Sequence, residues 1–139
     1  MPTFQTFKDL SVTFKKHPVT DDLVQVKDKA AIVQAITGLL LTRKGERPFQ
    51  PNLGCDVQNI LFEPLDFASA GIIKKEIRET LNRYEPRISV DQIRCNPDYD
   101  NNGYEVELHY TIVGRDDTPV AVDFFLERTR KCLILRLLI

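Results

Sequence analysis

The most pointed chemistry in this chain lies in residues 84–88, Tyr84-Glu85-Pro86-Arg87-Ile88, where an acid and a guanidinium flank a proline. Pro86 cannot continue a helix and biases Glu85 toward an extended backbone, so the side chains of Glu85 and Arg87 fall on about the same side. The planar fork of an arginine holds a carboxylate with two hydrogen bonds. Three outcomes fit this arrangement: the pair locks a loop of its own fold, it grips a neighbouring chain, or it stops a helix with a solvated ion pair of almost no energetic weight.

Other reactive groups are less specific. Glycoside hydrolysis needs two carboxylates facing each other across the scissile bond, one kept protonated by its surroundings. Glu46, Glu63 and Glu85 are candidates, but they stand among twenty acidic residues and no spacing selects a pair. Glu46 adjoins Arg47 and Glu85 is near Arg87, and a nearby cation lowers a carboxyl pKa, the wrong direction for a general acid. There is no glycine-rich phosphate loop and no G-x-S-x-G elbow. His109 shares a strand face with Glu107 and Thr111 and reads as a surface histidine, while His17 precedes a proline in a turn. Cys55, Cys95 and Cys132 are odd in number and contain no C-x-x-C pair, which argues against zinc and fits a reducing cytoplasm. Cys55 reads as a small buried filler. Nineteen basic against twenty acidic residues leave a net charge of −1, too little to attract nucleic acid nonspecifically. Neither a metal nor a cofactor is expected.

The elements that must position Glu85 and Arg87 follow from periodicity. With 139 residues, 42% of them hydrophobic, one domain can form a core without disulfides or metal. The start, Met1 to Gln5, lacks the basic and apolar runs of a secretion signal. Alternation of Leu10, Val12 and Phe14, a break at Lys15-Lys16-His17-Pro18 and the run Leu23–Val26 predict an arm of two short strands over 1–27, anchored by Phe4 and Phe7. Asp28 is the expected cap of a helix over 28–43, with Ile32, Ala35, Ile36, Leu39 and Leu40 inward, Arg43 and Lys44 in the last turn and Gly45 as the stop. Two prolines and two glycines make residues 45–54 an ordered loop, which Phe49 and Leu53 are expected to pin to the core. Val57, Ile60, Leu61 and Phe62 suggest one helical turn before Pro64. Ile73, Ile77, Leu81 and Tyr84 then mark a second helix over 66–83.

Antiparallel sheet follows. Ile88 and Val90 are out of phase with Ile93 and Cys95, which predicts a bulge near Asp91-Gln92. After a turn over 97–103, Tyr104, Val106, Leu108, Tyr110 and Ile112 alternate strictly, and Val120, Val122, Phe124 and Leu126 form one face of a third strand. The expected fold is α+β, two main helices packed on a C-terminal antiparallel sheet. Its parts are an arm over 1–27, the domain over 28–127 and a basic, apolar tail over 128–139. Six of the last seven residues are apolar, far too few to span a membrane, so that run should be buried in this fold or in a partner.

The stretch Leu41-Thr42-Arg43-Lys44-Gly45-Glu46-Arg47-Pro48-Phe49, then Pro51, Gly54-Cys55-Asp56, Leu61-Phe62-Glu63 and Tyr84-Glu85-Pro86-Arg87-Ile88, resembles the small baseplate wedge protein family of contractile phage tails. The same family occurs in type VI secretion baseplates and related injection systems, and the resemblance covers about residues 20–127. It implies that Glu85, Pro86 and Arg87 contact other wedge subunits around a shared core bundle; Glu46, Arg47 and Phe49 join them as expected partner contacts. It also implies a sheet, here about 88–127, similar to that of the tail sheath protein and able to template the first sheath ring by strand exchange. Val120, Val122, Phe124 and Leu126 are then the expected sheath contacts. Independently of any family, an edge strand with free backbone groups can add a strand from another chain, provided that the edge is not closed or covered. The implied protein is a non-enzymatic subunit without cofactor, assembled in host cytoplasm into the virion tail baseplate, with wedge and sheath proteins as partners. Family members have also been described as acidic lysozymes, so a peptidoglycan-degrading glycoside hydrolase is the rival reading. The apolar tail departs from the family, whose members usually end in more polar sequence.

Overall fold

The computed structural model describes residues 7–114 and 119–128, and the backbone of 135–138. Its elements are β1 (Lys8–Leu10), β2 (Gln25–Lys27), α1 (Asp28–Leu41), α2 (Val57–Ile60), α3 (Phe67–Tyr84), β3 (Ile88–Asp98), β4 (Gly103–Ile112), β5 (Val120–Glu127) and β6 (Leu135–Leu138). Strands β1 and β2 form a small antiparallel hairpin, and β3-β4-β5-β6 form an antiparallel sheet in that order.

Helix α3 lies on the sheet, chiefly against β3, while α1 packs on α3 and on the hairpin. The two long helices are therefore successive layers rather than two helices sharing one sheet face. Ile73, Ile77 and Leu81 of α3, Ile32, Ile36 and Leu40 of α1 and the inward residues of the sheet form one core. All five alternating apolar residues of β4 are buried. The expected bulge is present between Val90 and Gln92, leaving Asp91 as the extra residue. It restores phase: Ile93 and Cys95 stand opposite Leu108 and Val106 on the core side, as a strictly alternating strand would not allow. Asp66 caps α3, its carboxylate accepting the Ser69 N–H at 2.7 Å.

Four expectations need correction. Asp28 does not cap α1; Lys27 is the extended cap residue, because pairing of β1 with β2 runs through Lys27 and the chain turns into the helix at Asp28 (φ +50°), whose N–H donates to the Phe7 carbonyl at 2.8 Å. The helix ends at Leu41, before Arg43 and Lys44, where Thr42 turns extended and its hydroxyl donates to the Gly38 carbonyl at 2.7 Å. Gly45 has the expected positive φ, yet inside the following loop, where its N–H donates to the Pro51 carbonyl at 2.7 Å. Phe49 pins nothing: it is 98% exposed, and of the two apolar loop residues only Leu53 is half-buried.

Strand β5 has the expected bounds, with its four expected residues on one face. Phe124 and Leu126 are buried, and Val120 and Val122 pack half-buried against the core, so these four side chains face inward and do not present themselves to a partner. Nor is β5 an open edge along its length. Strand β6, from the tail, pairs with it from Asp123↔Leu138 to Leu126↔Leu135.

Candidate functional site

Helix α3 stops where the sequence requires it. Glu85 leaves helical geometry (φ −124°, ψ 76°) while its N–H still donates to the Leu81 carbonyl at 2.9 Å, and β3 begins three residues later. Within this turn Arg87 Nε donates to Glu85 Oε1 at 2.6 Å and Nη2 donates to Oε2 at 2.7 Å. Glu85 is buried, so both charges lie in poorly solvated surroundings where a two-pronged geometry is needed to offset lost hydration. The bonds from Glu85 raise the Arg87 pKa above its ordinary value, against the opposing effect of burial. The third arm of the fork, Nη1, donates to Asp9 Oδ2 at 3.2 Å, and the guanidinium carbon lies 5.7 Å from the centre of the Phe7 ring. Arg87 thus joins the end of α3, the start of the sheet and the N-terminal hairpin. Phe4, the other expected anchor, lies outside the described residues.

The loop after α1 is held as firmly. Cys55 N–H donates to the Thr42 carbonyl at 2.8 Å, closing the loop at its neck. A Cβ on Gly54 (φ +122°) would stand 2.4 Å from that same carbonyl oxygen. Arg43 Nε and Nη2 donate to Gln58 Oε1 at 3.0 and 2.7 Å, and Lys44 pairs with Glu76 of α3. The Tyr84 hydroxyl donates to the Asn52 carbonyl, so the last residue of α3 ties this loop to the 84–88 turn. Two stretches singled out in the sequence are therefore one structural unit. Glu46 and Arg47 are exposed on it, Glu46 Oε2 accepting the Arg43 N–H at 2.9 Å.

Two contributors gave no local signal. Asp9 is 78 residues from Arg87. The Gln34 amide on α1 donates to the Leu10 carbonyl at 2.8 Å and accepts the Val12 N–H at 3.1 Å, substituting for a neighbouring strand on the hairpin edge.

None of the three candidate glycosidase carboxylates has the surroundings of a general acid. Glu85 is saturated by a guanidinium, Glu46 is exposed and bonded to a backbone amide, and Glu63 is exposed. His109 Nε2 lies 2.8 Å from Glu107 Oε1 on the outer sheet face, and His17 Nδ1 accepts the Val19 and Thr20 N–H groups at 3.4 Å. Burial raises the Cys55 thiol pKa and pushes that of Cys95 up to about 12, while Cys132 lies outside the described residues. Among the described residues no group of three or more His, Cys, Asp or Glu could hold a metal, and no helix is long and apolar enough to cross a membrane.

The family profile described as baseplate wedge protein gp25 matches residues 26–117, from β2 through β4, including the loop and the 84–88 turn. The chain belongs to the baseplate wedge protein gp25 family. A relative within it, baseplate wedge protein gp25 of Enterobacteria phage T4, is 33% identical over 87 residues, which cover 63% of this chain and 66% of that protein's length. Among solved structures, a component of the anti-feeding prophage baseplate has a TM-score of 0.70 at 19% identity, covering 81% of this chain and 90% of that one. A crystal structure from Geobacter sulfurreducens, described as a putative tail lysozyme, has a TM-score of 0.64 at 23% identity, covering 71% and 89%. At these identities the two structures establish a shared fold. As a wedge protein the chain is a component of a contractile-tail baseplate, and it spans just under two thirds of the length of the T4 relative it matches. Strands β5 and β6 lie beyond the matched segment.

Proposed function

We propose that this wedge protein is a structural subunit that binds other wedge proteins through the surface made by the 43–54 loop and the 84–88 turn. The observation that supports this reading most directly is the buried Glu85–Arg87 pair. A guanidinium has five N–H donors, of which two go to Glu85 and one to Asp9, so two remain for a partner's carbonyl or carboxylate on a side chain that is 26% exposed. Glu85 positions and Arg87 contacts. Pro86, exposed between them, keeps the turn from relaxing into helix.

The same reading gives the C-terminal sheet the task of accepting a strand from the first tail sheath subunits. What recommends it is antiparallel geometry with a partner strand already seated on β5. The contact would be made by backbone groups, since the β5 apolar side chains face the core. Val120 to Val122 lie outside the β6 register, and a strand that joins β5 must either add there or replace β6.

The test is co-expression of the tagged chain with the baseplate and sheath proteins of its own tail cluster, alongside Arg87→Ala, Arg87→Lys and Glu85→Gln, each with a thermal melt. Wedge proteins should be captured by the wild type and lost from Arg87→Ala beyond what its melting temperature explains, with Arg87→Lys intermediate. Undiminished capture by a folded Arg87→Ala protein would remove the turn from the interface. Peptidoglycan clearing by the wild type that Glu85→Gln abolishes would establish the lysozyme reading instead.

A further inference from the structure

The most exposed large apolar side chain on the described surface is Phe49, at 98%. Single exposed apolar residues are ordinary in soluble proteins. Phe49 differs in what holds it. Gln50 N–H donates to the Arg47 carbonyl at 3.2 Å, Leu53 N–H to Gln50 at 3.0 Å and Gly45 N–H to Pro51 at 2.7 Å, while Pro48 and Pro51 restrict the backbone on both sides. Lys44–Glu76 and Tyr84–Asn52 then fix the loop to α3. A ring carried by a backbone ordered in advance loses little conformational entropy when it is buried by a partner.

The charges of the loop are mostly of one sign, Arg43, Lys44 and Arg47 against the single acid Glu46. Lys44 is neutralised by Glu76 on α3, and the Glu46 carboxylate is turned back onto the Arg43 amide. The Arg43 guanidinium bonds only the neutral Gln58 side chain, and Arg47 has no ion pair, among the described residues. The loop therefore offers an apolar knob in a cationic collar. Two copies meeting through this face would set like charges against each other, which disfavours a symmetric dimer.

Resting on the wedge reading above, we infer that Phe49 seats in an apolar pocket with a carboxylate rim on a neighbouring baseplate subunit, with Arg47 facing that rim. Because Tyr84 links the loop to the 84–88 turn, the knob and Arg87 are presented in fixed relation.

The experiment uses the full chain co-expressed with the baseplate proteins of its own tail cluster. Phe49→Ala should melt like the wild type, since the ring touches almost nothing, yet capture those proteins about 10- to 100-fold more weakly. Phe49→Trp should retain capture. Arg47→Glu should weaken capture most at low salt, where the collar's field is least screened. p-Benzoylphenylalanine in place of Phe49 should cross-link, on irradiation, to an apolar segment of another baseplate subunit bordered by Asp or Glu. Equal capture by Phe49→Ala and wild type, cross-linking to a second copy of this chain, or stronger capture by Arg47→Glu each overturns the inference. If Arg87→Ala loses capture while Phe49→Ala keeps it, the knob fails and the wedge interface stands; if the wild type captures no baseplate protein, both fail.

Discussion

Arg87 grips Glu85 through two hydrogen bonds of 2.6 and 2.7 Å across a single proline, with the carboxylate buried and the guanidinium still partly open to water. This asymmetry in solvation makes the two residues unequal. Removing Arg87 strands a buried carboxylate, whereas removing Glu85 leaves a cation that keeps Asp9 and water.

Arg87→Ala should therefore destabilise the isolated protein by about 2–4 kcal/mol, whereas the double variant Glu85→Leu/Arg87→Leu, which leaves no unpaired buried charge, should recover more than half of that loss. Urea unfolding of the single and double variants measures both. Equal losses would mean that Glu85 is well hydrated. The result also governs how assembly data are read, because a defect in Arg87→Ala mixes lost contact with lost stability, while Arg87→Lys keeps the charge and forfeits only the fork.

Gly54 tests the neck of the loop. Its φ of +122° is costly for any residue with a side chain, and a Cβ would lie 2.4 Å from the Thr42 carbonyl oxygen, a backbone atom that cannot swing aside. Gly54→Ala should cost about 2–4 kcal/mol and raise amide exchange over the 43–54 loop, whereas Gly38→Ala, with open space at its Cβ, should stabilise α1 by about 0.5–1 kcal/mol. A Gly54→Ala protein as stable as the wild type would show that the loop is not closed on Thr42.

Much of this architecture was legible where the physics is local. Strict alternation in β4, helical spacing in α3 and the phase slip between Val90 and Ile93 each depend on neighbours in sequence, and each corresponds to an observed element. The site was half legible: Glu85 and Arg87 read as a pair, but nothing near residue 87 points to Asp9 or Phe7, and nothing near Gln34 points to Leu10. Phe49 illustrates a different limit. Local sequence offers an aromatic residue in an ordered loop as an anchor into its own core and the family resemblance offers it as a partner contact, while the closed path of the backbone points it outward. Asp28 failed as a cap because hairpin pairing, a tertiary effect, sets where the helix starts.

At the start of α3 the cap has a pH signature. The Ser69 amide holds the Asp66 carboxyl below its usual pKa of 3.8, so its stabilisation is fully present above that value and disappears as pH falls through the lower folded pKa. Asp66→Ala should melt a few degrees below the wild type at pH 6 to 7, with the difference shrinking as the pH falls below about 4. A difference independent of pH would assign the effect to backbone conformation rather than to the charged cap.

The last prediction concerns β6, which answers a problem inherent in β5. An unpaired edge offers backbone donors and acceptors to any extended chain, and β5 carries Phe124 and Leu126 on its inward face, so an uncovered β5 combines an open ladder with a strongly β-forming sequence. Pairing from Asp123 to Leu126 closes half of that strand. Deleting residues 129–139 should leave the core folded, because the described core residues all precede that point, but should expose the β5 edge. Sedimentation should then show association that grows with concentration, and Ala121→Pro in the truncated chain should suppress it by removing a backbone donor from the freed edge and disfavouring strand addition. If the sheet receives a sheath strand at this edge, truncation should also speed nucleation of sheath polymerisation, because no resident strand has to leave. A truncated protein that remains monomeric and nucleates sheath no faster would mean that β6 neither guards the edge nor competes for it.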